Sequence, residues 1–324
     1  MTRVLVALGG NAMTSPDGQA RPGDQIDATD RAARHIATVA GRAEVVVTHG
    51  NGPQVGNILV KNELAAGVVP PVPLDWCGAQ TQGTIGFLLL NALERHLAAG
   101  GVDRRVAALV SRTLVDPADA GFATPTKPIG RYLPAAEARV MIQHGQVWQD
   151  RGERGWRRVV ASPEPQAVLD APAASALLAT GYVVVAAGGG GIPVVRGEDG
   201  SLRGVEAVID KDRTAALLAR AVEADLLIIA TDVPAAMLDF GTPRARRLGR
   251  VAAADLRRYA VDGQFAAGSM GPKVEAACRF VEGGGERAVI TSLDRIADAV
   301  DDVAGTVGTV VTRGREEARD ARAH

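Results

Sequence analysis

The feature that most constrains this chain is an alternation between short apolar runs and longer segments with apolar residues at helical spacing. The short runs are rich in Val, Ile and Leu, and most lack polar alternation, which predicts strands buried on both faces. They are Val4–Leu8, Val45–Thr48, Val106–Val110, Tyr182–Ala186, Leu226–Ala230, Ala288–Ile290 and Val307–Val311. Strands of this kind are typical of a parallel sheet covered by helices.

Helical segments fill the intervals between these strands, and several of them end near a glycine. They are Asp27–Ala40, Val55–Ala65, Ala79–Ala99, Pro134–His144, Ala167–Thr180, Asp212–Ala224, Ala253–Ala260 and Lys273–Val281. The order of elements predicts an α/β fold, and a length of 324 residues allows either one large domain or two smaller ones.

Two stretches interrupt the alternation. Residues 112–165 are rich in Pro, Arg, Trp and Gly and contain only short apolar runs, which predicts an inserted lobe. Residues 313–324 are charged and rich in alanine, with no apolar face, which predicts a disordered tail.

Charge and cysteine content narrow the class of function. The 36 basic and 37 acidic residues leave a net charge of -1, so no overall field draws the chain to nucleic acid or an anionic membrane. The two cysteines, Cys77 and Cys278, match no metal-binding spacing and suit a reducing compartment. The first apolar run ends at Leu8, too short for a signal peptide, and no run approaches the roughly 18 residues of a membrane span. We therefore expect a soluble cytoplasmic protein.

Glycine-rich turns directly follow three of the predicted strands. They are Gly9-Gly10-Asn11, His49-Gly50-Asn51-Gly52-Pro53 and Gly188–Gly191. In open α/β sheets the ligand lies at the carboxyl ends of the strands, where glycine lets the backbone approach an anion closely. The turns therefore predict a site for phosphate or carboxylate groups.

Two better-known nucleotide motifs are excluded by their spacing. The glycines at Gly50, Gly52 and Gly56 have one residue too many for a dinucleotide fingerprint, and no acidic residue follows at the required distance. The segment Gly268–Lys273 resembles a P-loop, but its spacing differs and Val274 stands where Ser or Thr is required.

Phosphoryl transfer remains consistent with the sequence, because its transition state needs positioning and positive charge around the transferred oxygens. Lysines are scarce among the basic residues, and Lys127, Lys211 and Lys273 each lie in a motif-like context. Most lysines are solvated surface residues, but these three occur together with the glycine turns. Asp210, at a predicted helix start, suits both an N-cap and a role beside the lysines. His49 and Met270 are interpreted as packing residues.

Seven motifs, in order along the chain, closely resemble those of the carbamate kinases, which belong to the amino acid kinase superfamily. They are Ala7-Leu-Gly-Gly-Asn-Ala12, Thr48-His-Gly-Asn-Gly-Pro-Gln-Val-Gly56, Leu74-Asp-Trp-Cys-Gly-Ala79, Thr126-Lys-Pro-Ile-Gly130, Gly188-Gly-Gly-Gly-Ile-Pro-Val194, Gly204-Val-Glu-Ala-Val-Ile-Asp-Lys-Asp212 and Gly268-Ser-Met-Gly-Pro-Lys-Val-Glu-Ala276. The resemblance spans residues 4–311. It implies a three-layer αβα sandwich with an open, mainly parallel sheet, formed by one domain over residues 1–312. A protruding subdomain at about 112–165 and a homodimer are also implied.

The resemblance implies a phosphotransferase with a carboxyl group as acceptor. Carbamate kinases interconvert ATP and carbamate, which forms from NH3 and CO2, with ADP and carbamoyl phosphate. Their Mg²⁺ is expected mainly on the nucleotide phosphates, with no metal ligands from the protein. Members of the family often run toward ATP while degrading arginine, agmatine or allantoin.

Roles carry over motif by motif. Catalytic roles are implied for Lys127, Lys211, Lys273 and Asp210, with Asp210 orienting the lysines. Substrate binding is implied for Gly9, Gly10, Asn11, Gly50, Asn51 and Gly52. Nucleotide binding is implied for Gly189, Gly190, Thr231, Asp232, Met237, Met270 and Gly271.

The resemblance is weaker after Thr231-Asp232. Carbamate kinases usually have an acidic residue and then an aromatic one where this chain has Pro234 and Met237. We interpret Met237 as a softer adenine contact, because a thioether packs well but lacks the stacking of an aromatic ring.

Two alternatives remain open at this point. Another kinase of the superfamily would share the fold and the lysines but act on a different small acid or nucleotide. A non-catalytic sensor of nucleotide or carbamoyl phosphate would need charge balance in the ground state, but no machinery for transfer.

Overall fold

The computed structural model of the chain describes residues 1–10, 14, 21–266 and 268–314. The β-strands in these ranges are β1 (Arg3–Leu8), β2 (Glu44–His49), β3 (Val106–Ala108), β4 (Arg112–Val115), β5 (Lys127–Leu133), β6 (Val147–Asp150), β7 (Trp156–Val160), β8 (Pro165–Val168), β9 (Val183–Val185), β10 (Ile192–Arg196), β11 (Leu202–Gly204), β12 (Leu226–Thr231), β13 (Met237–Leu238), β14 (Arg246–Arg247), β15 (Arg250–Ala252), β16 (Arg287–Ser292) and β17 (Thr309–Thr312). The α-helices are α1 (Pro22–Ala40), α2 (Gly52–Ala65), α3 (Leu74–Ala99), α4 (Ala120–Ala123), α5 (Ala135–Gln143), α6 (Ala171–Ala179), α7 (Lys211–Ala221), α8 (Ala253–Val261), α9 (Met270–Glu282) and α10 (Ile296–Ala299).

An eight-stranded sheet forms the centre of the protein, in the order β15-β17-β16-β12-β1-β2-β9-β3. All neighbours in it are parallel except β16 and β17. Each of the seven predicted apolar runs overlaps one of its strands, although the runs at 106–110, 182–186 and 307–311 extend beyond β3, β9 and β17. The predicted α/β fold with an open, mainly parallel sheet is therefore confirmed.

Helices cover both faces of this sheet, because successive side chains of each buried strand point in opposite directions. In β1, Val4 and Val6 pack with α1 and α3, for example against Ile36. Leu5 in the same strand packs on the other side with α6, α7 and α9, including Phe280. The two apolar layers make the fold a three-layer αβα sandwich.

Smaller sheets are built from segments that the sequence analysis left without strands. A four-stranded sheet has the order β11-β10-β4-β8, and a three-stranded sheet, here called the small sheet, has the order β5-β7-β6. Residues 112–165 thus begin in β4 and end at the start of β8. Strand β4 pairs with β8 on one side and with β10 on the other. The segment between them carries the small sheet, with α5 packed on it.

Several predicted boundaries were wrong. The predicted helix at residues 167–180 starts only at Ala171, because Pro165–Val168 forms β8 instead. Conversely α3 starts at Leu74, five residues before the predicted Ala79. Pro73, as its N-cap, fixes that start in a stretch without regular apolar spacing.

Three further observations bear on the sequence-based expectations. No helix in the described ranges is both long and apolar enough to cross a membrane. Cys77 and Cys278 are buried free thiols. Most of the tail predicted at 313–324 lies outside the described residues, which end at Gly314.

Candidate active site

The first two glycine turns meet at the carboxyl ends of β1 and β2. The Gly9 amide donates to the Ala230 carbonyl at the end of β12, at 3.0 Å, and the Gly50 amide donates to the Leu8 carbonyl, also at 3.0 Å. These two amides extend the parallel ladder and are therefore engaged within the sheet, whereas we had expected them to face a ligand. The glycines act here by allowing close approach. A Cβ atom on Gly50 would lie only 2.8 Å from the Gly10 backbone.

Two of the three predicted lysines reach this junction from α7 and the small sheet. The aliphatic chain of Lys211, the first residue of α7, lies 3.3 Å from the position of that Gly50 Cβ. Lys127, the first residue of β5, donates from Nζ to Asp210 Oδ2 at 2.7 Å. Asp210 therefore lies beside Lys127, and its Oδ1 also caps α7 by accepting from the amides of Asp212 and Arg213.

Asp212, which was not among the predicted site residues, pairs with both Lys211 and Lys273. Its Oδ1 lies 2.5 Å from Lys211 Nζ and its Oδ2 lies 3.1 Å from Lys273 Nζ. The residue is only 4% exposed. Lys273 lies in the first turn of α9, so Asp212 connects the N-terminal ends of α7 and α9 through one buried carboxylate.

The pKa values at this cluster follow from burial and from the paired charges. Burial alone would raise the pKa of the Asp210 carboxyl, but the charge of Lys127 and its hydrogen bond hold that pKa at about 2. Burial also opposes ionisation of Asp212, yet Lys211 and Lys273 lower the pKa of that carboxyl. Burial lowers the pKa of Lys211, and the charge of Asp212 opposes this decrease. The cluster therefore holds ionised pairs next to the glycine junction, with the buried carboxylate of Asp212 at its centre.

The third glycine turn, Gly188–Gly191, is buried and packs against the second. A Cβ atom on Gly188 would lie 2.3 Å from His49 Nε2, and one on Gly189 would lie 2.0 Å from Asn51 Nδ2. Gly190 has a φ of +89°, and a Cβ there would lie 2.7 Å from the Ile209 carbonyl oxygen. Close packing and left-handed backbone therefore require these glycines without a ligand. The assignment of Gly189 and Gly190 to nucleotide binding stays a prediction.

Side chains of α3 fix the relative position of these turns. Asn51 Nδ2 donates to Thr81 Oγ1 at 2.8 Å. Gln82 Nε2 donates to the Gly188 carbonyl at 2.9 Å, and Gln82 Oε1 accepts from the Ser111 amide at 2.8 Å. Buried amide side chains satisfied in this way rigidify their surroundings. The substrate-binding prediction for Asn51 thus falls on a residue that is already held in place.

The predicted nucleotide contacts lie at three places in the described structure. Thr231 ends β12 beside Gly9, and its Oγ1 donates to Asp232 Oδ1 at 2.9 Å. Met270 and Gly271 begin α9, one turn before Lys273. Met237 lies in β13, half-buried and paired with Arg247.

The remaining predicted substrate contacts are less fully described. Gly52 is the first residue of α2, and the free backbone amides at a helix N-terminus favour anion binding. Asn11 lies outside the described residues.

Replacing Gly50 with alanine should separate the two glycine turns, because the new Cβ would lie 2.8 Å from Gly10. We expect a loss of about 1–3 kcal/mol in the free energy of unfolding, as in other overpacked sites, and at least a tenfold loss of kcat/KM. Urea unfolding and steady-state kinetics would measure these changes. The matched control is Gly23→Ala, since nothing lies within 4 Å of a Cβ at Gly23. Equal behaviour of the two variants would contradict the close approach.

His49 should make the protein less stable in mild acid. Burial lowers the pKa of this ring to about 4, while the hydrogen bond to the Gly50 carbonyl partly opposes that decrease. The unfolded chain therefore binds a proton below about pH 6.5 that the folded protein excludes until about pH 4. Stability from this group is complete above pH 6.5 and falls by about 3 kcal/mol as the pH drops through that window.

Urea unfolding of the wild type and His49→Gln at several pH values between 7 and 4 measures this contribution. The variant should show the shallower dependence of unfolding free energy on pH, whatever its absolute stability. Identical slopes would show that His49 titrates alike in the folded and unfolded states.

Comparisons with known proteins agree with this geometry. The amino acid kinase family matches residues 2–292. The carbamate kinase of Thermococcus kodakarensis is 45% identical over 319 residues, which cover 97% of this chain and 100% of the relative. Carbamate kinase 1 of Enterococcus faecium is 42% identical over 313 residues, covering 96% and 99%.

A solved structure supports the same relationship. The carbamate kinase from Giardia lamblia bound to AMP-PNP superposes with a TM-score of 0.89 at 38% sequence identity, covering 96% of this chain and 98% of that one. Likeness over nearly the full length, in both sequence and structure, establishes the family. The chain therefore belongs to the amino acid kinase family, as a phosphotransferase of its carbamate kinase group.

Proposed function

We propose that the protein catalyses the reversible reaction of ATP and carbamate to give ADP and carbamoyl phosphate. The observation that carries this proposal is the cluster of Lys127, Lys211 and Lys273, held by Asp210 and Asp212 where two glycine turns touch. Relatives at 40–45% identity that are named carbamate kinases supply the substrate class.

In this reaction a carbamate oxygen attacks the γ-phosphorus of ATP. The new P–O bond forms as the bond between that phosphorus and the β,γ-bridging oxygen breaks, and the electron pair stays on ADP. Because carbamate is already an anion, no proton has to be removed. The requirement is positive charge around the transferred oxygens, which Lys211 and Lys273 would supply.

Lys127 would complete the site from the small sheet. It is paired with Asp210 in the free protein, so substrate binding would exchange or share this partner. Substrate-binding roles for Gly10, Asn51 and Gly52 remain part of the proposal. So do the nucleotide contacts of Thr231, Asp232, Met237, Met270 and Gly271.

Mg²⁺ is expected to accompany the nucleotide. No group of three metal-binding side chains occurs in the described parts of the chain, and the carboxylates of Asp210 and Asp212 are bonded to lysines. The described residues therefore form no protein cage for the ion. Mg²⁺ keeps several waters and binds phosphate oxygens, so it would add neutralising charge there.

The cellular setting is a further part of the proposal. We propose a cytoplasmic homodimer, running toward ATP in the breakdown of arginine, agmatine or allantoin. Family likeness supports these points.

A coupled assay of ATP formation from ADP, Mg²⁺ and carbamoyl phosphate tests the function, with a control lacking enzyme for spontaneous breakdown. We expect saturable ATP formation. Turnover with acetyl phosphate but not with carbamoyl phosphate would indicate a different acid kinase of the same fold. Nucleotide binding in calorimetry without any turnover would indicate a sensor.

A further inference from the structure

A cavity lies between the small sheet and the body of the protein, away from the lysine cluster. It has a volume of about 520 Å³ and is lined by α2, the start of α3, α5 and β7. Leu59, Val72 and Met141 give it an apolar wall. None of the residues placed in the candidate active site lines it.

Arg158 is the cation of this cavity. It lies opposite Ile129 on the small sheet, on the same face as Val160, which pairs with Lys127. The side chain is half-buried, and within the described ranges no hydrogen bond or ion pair within 4 Å engages its guanidinium. Burial lowers the pKa of Arg158, and the charges of Glu206 and Glu63 oppose that decrease. A partly buried guanidinium of this kind is stabilised by an anion that accepts its hydrogen bonds.

Two carboxylates line the same cavity. Glu206 Oε1 accepts from the Leu74 amide at 3.2 Å, and one oxygen of Glu63 accepts from Arg131 at 3.4 Å. Each of these contacts engages one oxygen of its carboxylate. The other titratable residue of the lining is His144, which is exposed. The cavity thus combines the guanidinium of Arg158, two carboxylates and an apolar wall.

We propose that this cavity binds a small zwitterion, an α-amino acid with an aliphatic side chain. Its carboxylate would pair with Arg158, its ammonium group would pair with Glu206 and Glu63, and its side chain would lie against Leu59 and Met141. Glu63 already pairs with Arg131, whereas the printed contact of the Glu206 carboxylate is with the Leu74 amide. A simple anion would therefore leave Glu206 without a cation, and a simple cation would leave Arg158 without an anion. A molecule with both charges supplies a partner to Arg158 and to Glu206 at once.

The lining residues of this cavity come from two parts of the protein. Arg158 and Met141 belong to the small sheet and its helix, whereas Leu59, Glu63 and Glu206 belong to the body. Lys127 is on the same small sheet. A ligand bridging both sides would therefore link the sheet that carries Lys127 to the body of the protein.

Three probes that differ by one charged group test the proposal on the wild-type protein by isothermal titration calorimetry. They are L-norleucine, hexanoate, which lacks the ammonium group, and pentylamine, which lacks the carboxylate. We expect saturable norleucine binding, with hexanoate and pentylamine each at least tenfold weaker. The proposal is overturned by no norleucine binding up to about 10 mM, which corresponds to less than about 3 kcal/mol. Equal affinity for either single-charge probe overturns it too.

Variants then locate the site. Arg158→Gln and Glu206→Gln should each weaken norleucine binding at least tenfold, while the amide of the second keeps an oxygen for the Leu74 amide. Arg139→Gln is the matched control, because Arg139 is exposed on α5 and does not line the cavity. Thermal unfolding confirms that each variant is folded. Unchanged norleucine affinity in both cavity variants would place any binding elsewhere and reject this site. This test is independent of turnover, so it stands whether or not the proposed reaction is observed.

Discussion

Replacing Lys211 or Lys273 with alanine is expected to lower kcat by about 10²–10³-fold while the fold remains intact. The two ammonium groups share the carboxylate of Asp212, at 2.5 and 3.1 Å, beside the glycine junction. Charge that develops on the transferred phosphoryl oxygens would be stabilised there without reorganisation of water, since the cluster is largely buried. Losing one lysine leaves Asp212 paired with the other, so the buried carboxylate keeps a partner.

Lys61→Ala is the matched control, because Lys61 is an exposed lysine on α2 and should behave like the wild type. The loss of kcat in Lys127→Ala should be smaller than in the Lys211 and Lys273 variants but larger than in Lys61→Ala. Its ammonium group reaches the site from the small sheet and pairs with Asp210. Coupled assays of ATP formation and thermal unfolding of all variants decide the matter. Full activity of either cluster variant would place the reacting centre elsewhere.

The central sheet could be predicted from the sequence because its strands are buried on both faces. Runs such as Leu226–Ala230 have no polar positions and so are distinguished from helices and half-exposed strands. The small sheet has no such pattern. Its strands contain Arg157 and Arg158 in succession. Their apolar partners come from α5, between β5 and β6, and from α2, which is far away in the sequence. Packing of that kind becomes visible only in three dimensions.

The candidate site, too, could be predicted only in part from the sequence. Sequence motifs indicated Lys127, Lys211, Lys273 and Asp210, and the structure brings Lys127 to Asp210. Asp212 was missed because it neighbours Lys211 in the chain, and adjacent helical residues do not normally face each other. The Gly188–Gly191 turn was interpreted as an anion site, but its glycines are required by their packing on His49 and Asn51. A glycine run alone does not distinguish these two causes.

Replacing Asp212 with asparagine is expected to destabilise the protein by about 3–5 kcal/mol, because it leaves two largely buried ammonium groups without their shared counter-ion. The side chain is 5% exposed, so solvent does little to compensate. Asp255→Asn is the matched control. Its carboxylate pairs with Arg258 at the surface, and its loss should change the unfolding free energy by less than about 1 kcal/mol.

The same variant should change the pH dependence of turnover. Asp212 opposes the lowering of the Lys211 pKa by burial, so without that carboxylate this pKa falls further. Lys211 then loses its charge at a lower pH, and the alkaline limb of the kcat profile moves to lower pH. A purely structural role for Asp212 would reduce stability without moving this limb. Measuring kcat from pH 6 to 10 at a temperature where both proteins are folded therefore separates positioning of the lysine charge from support of the fold.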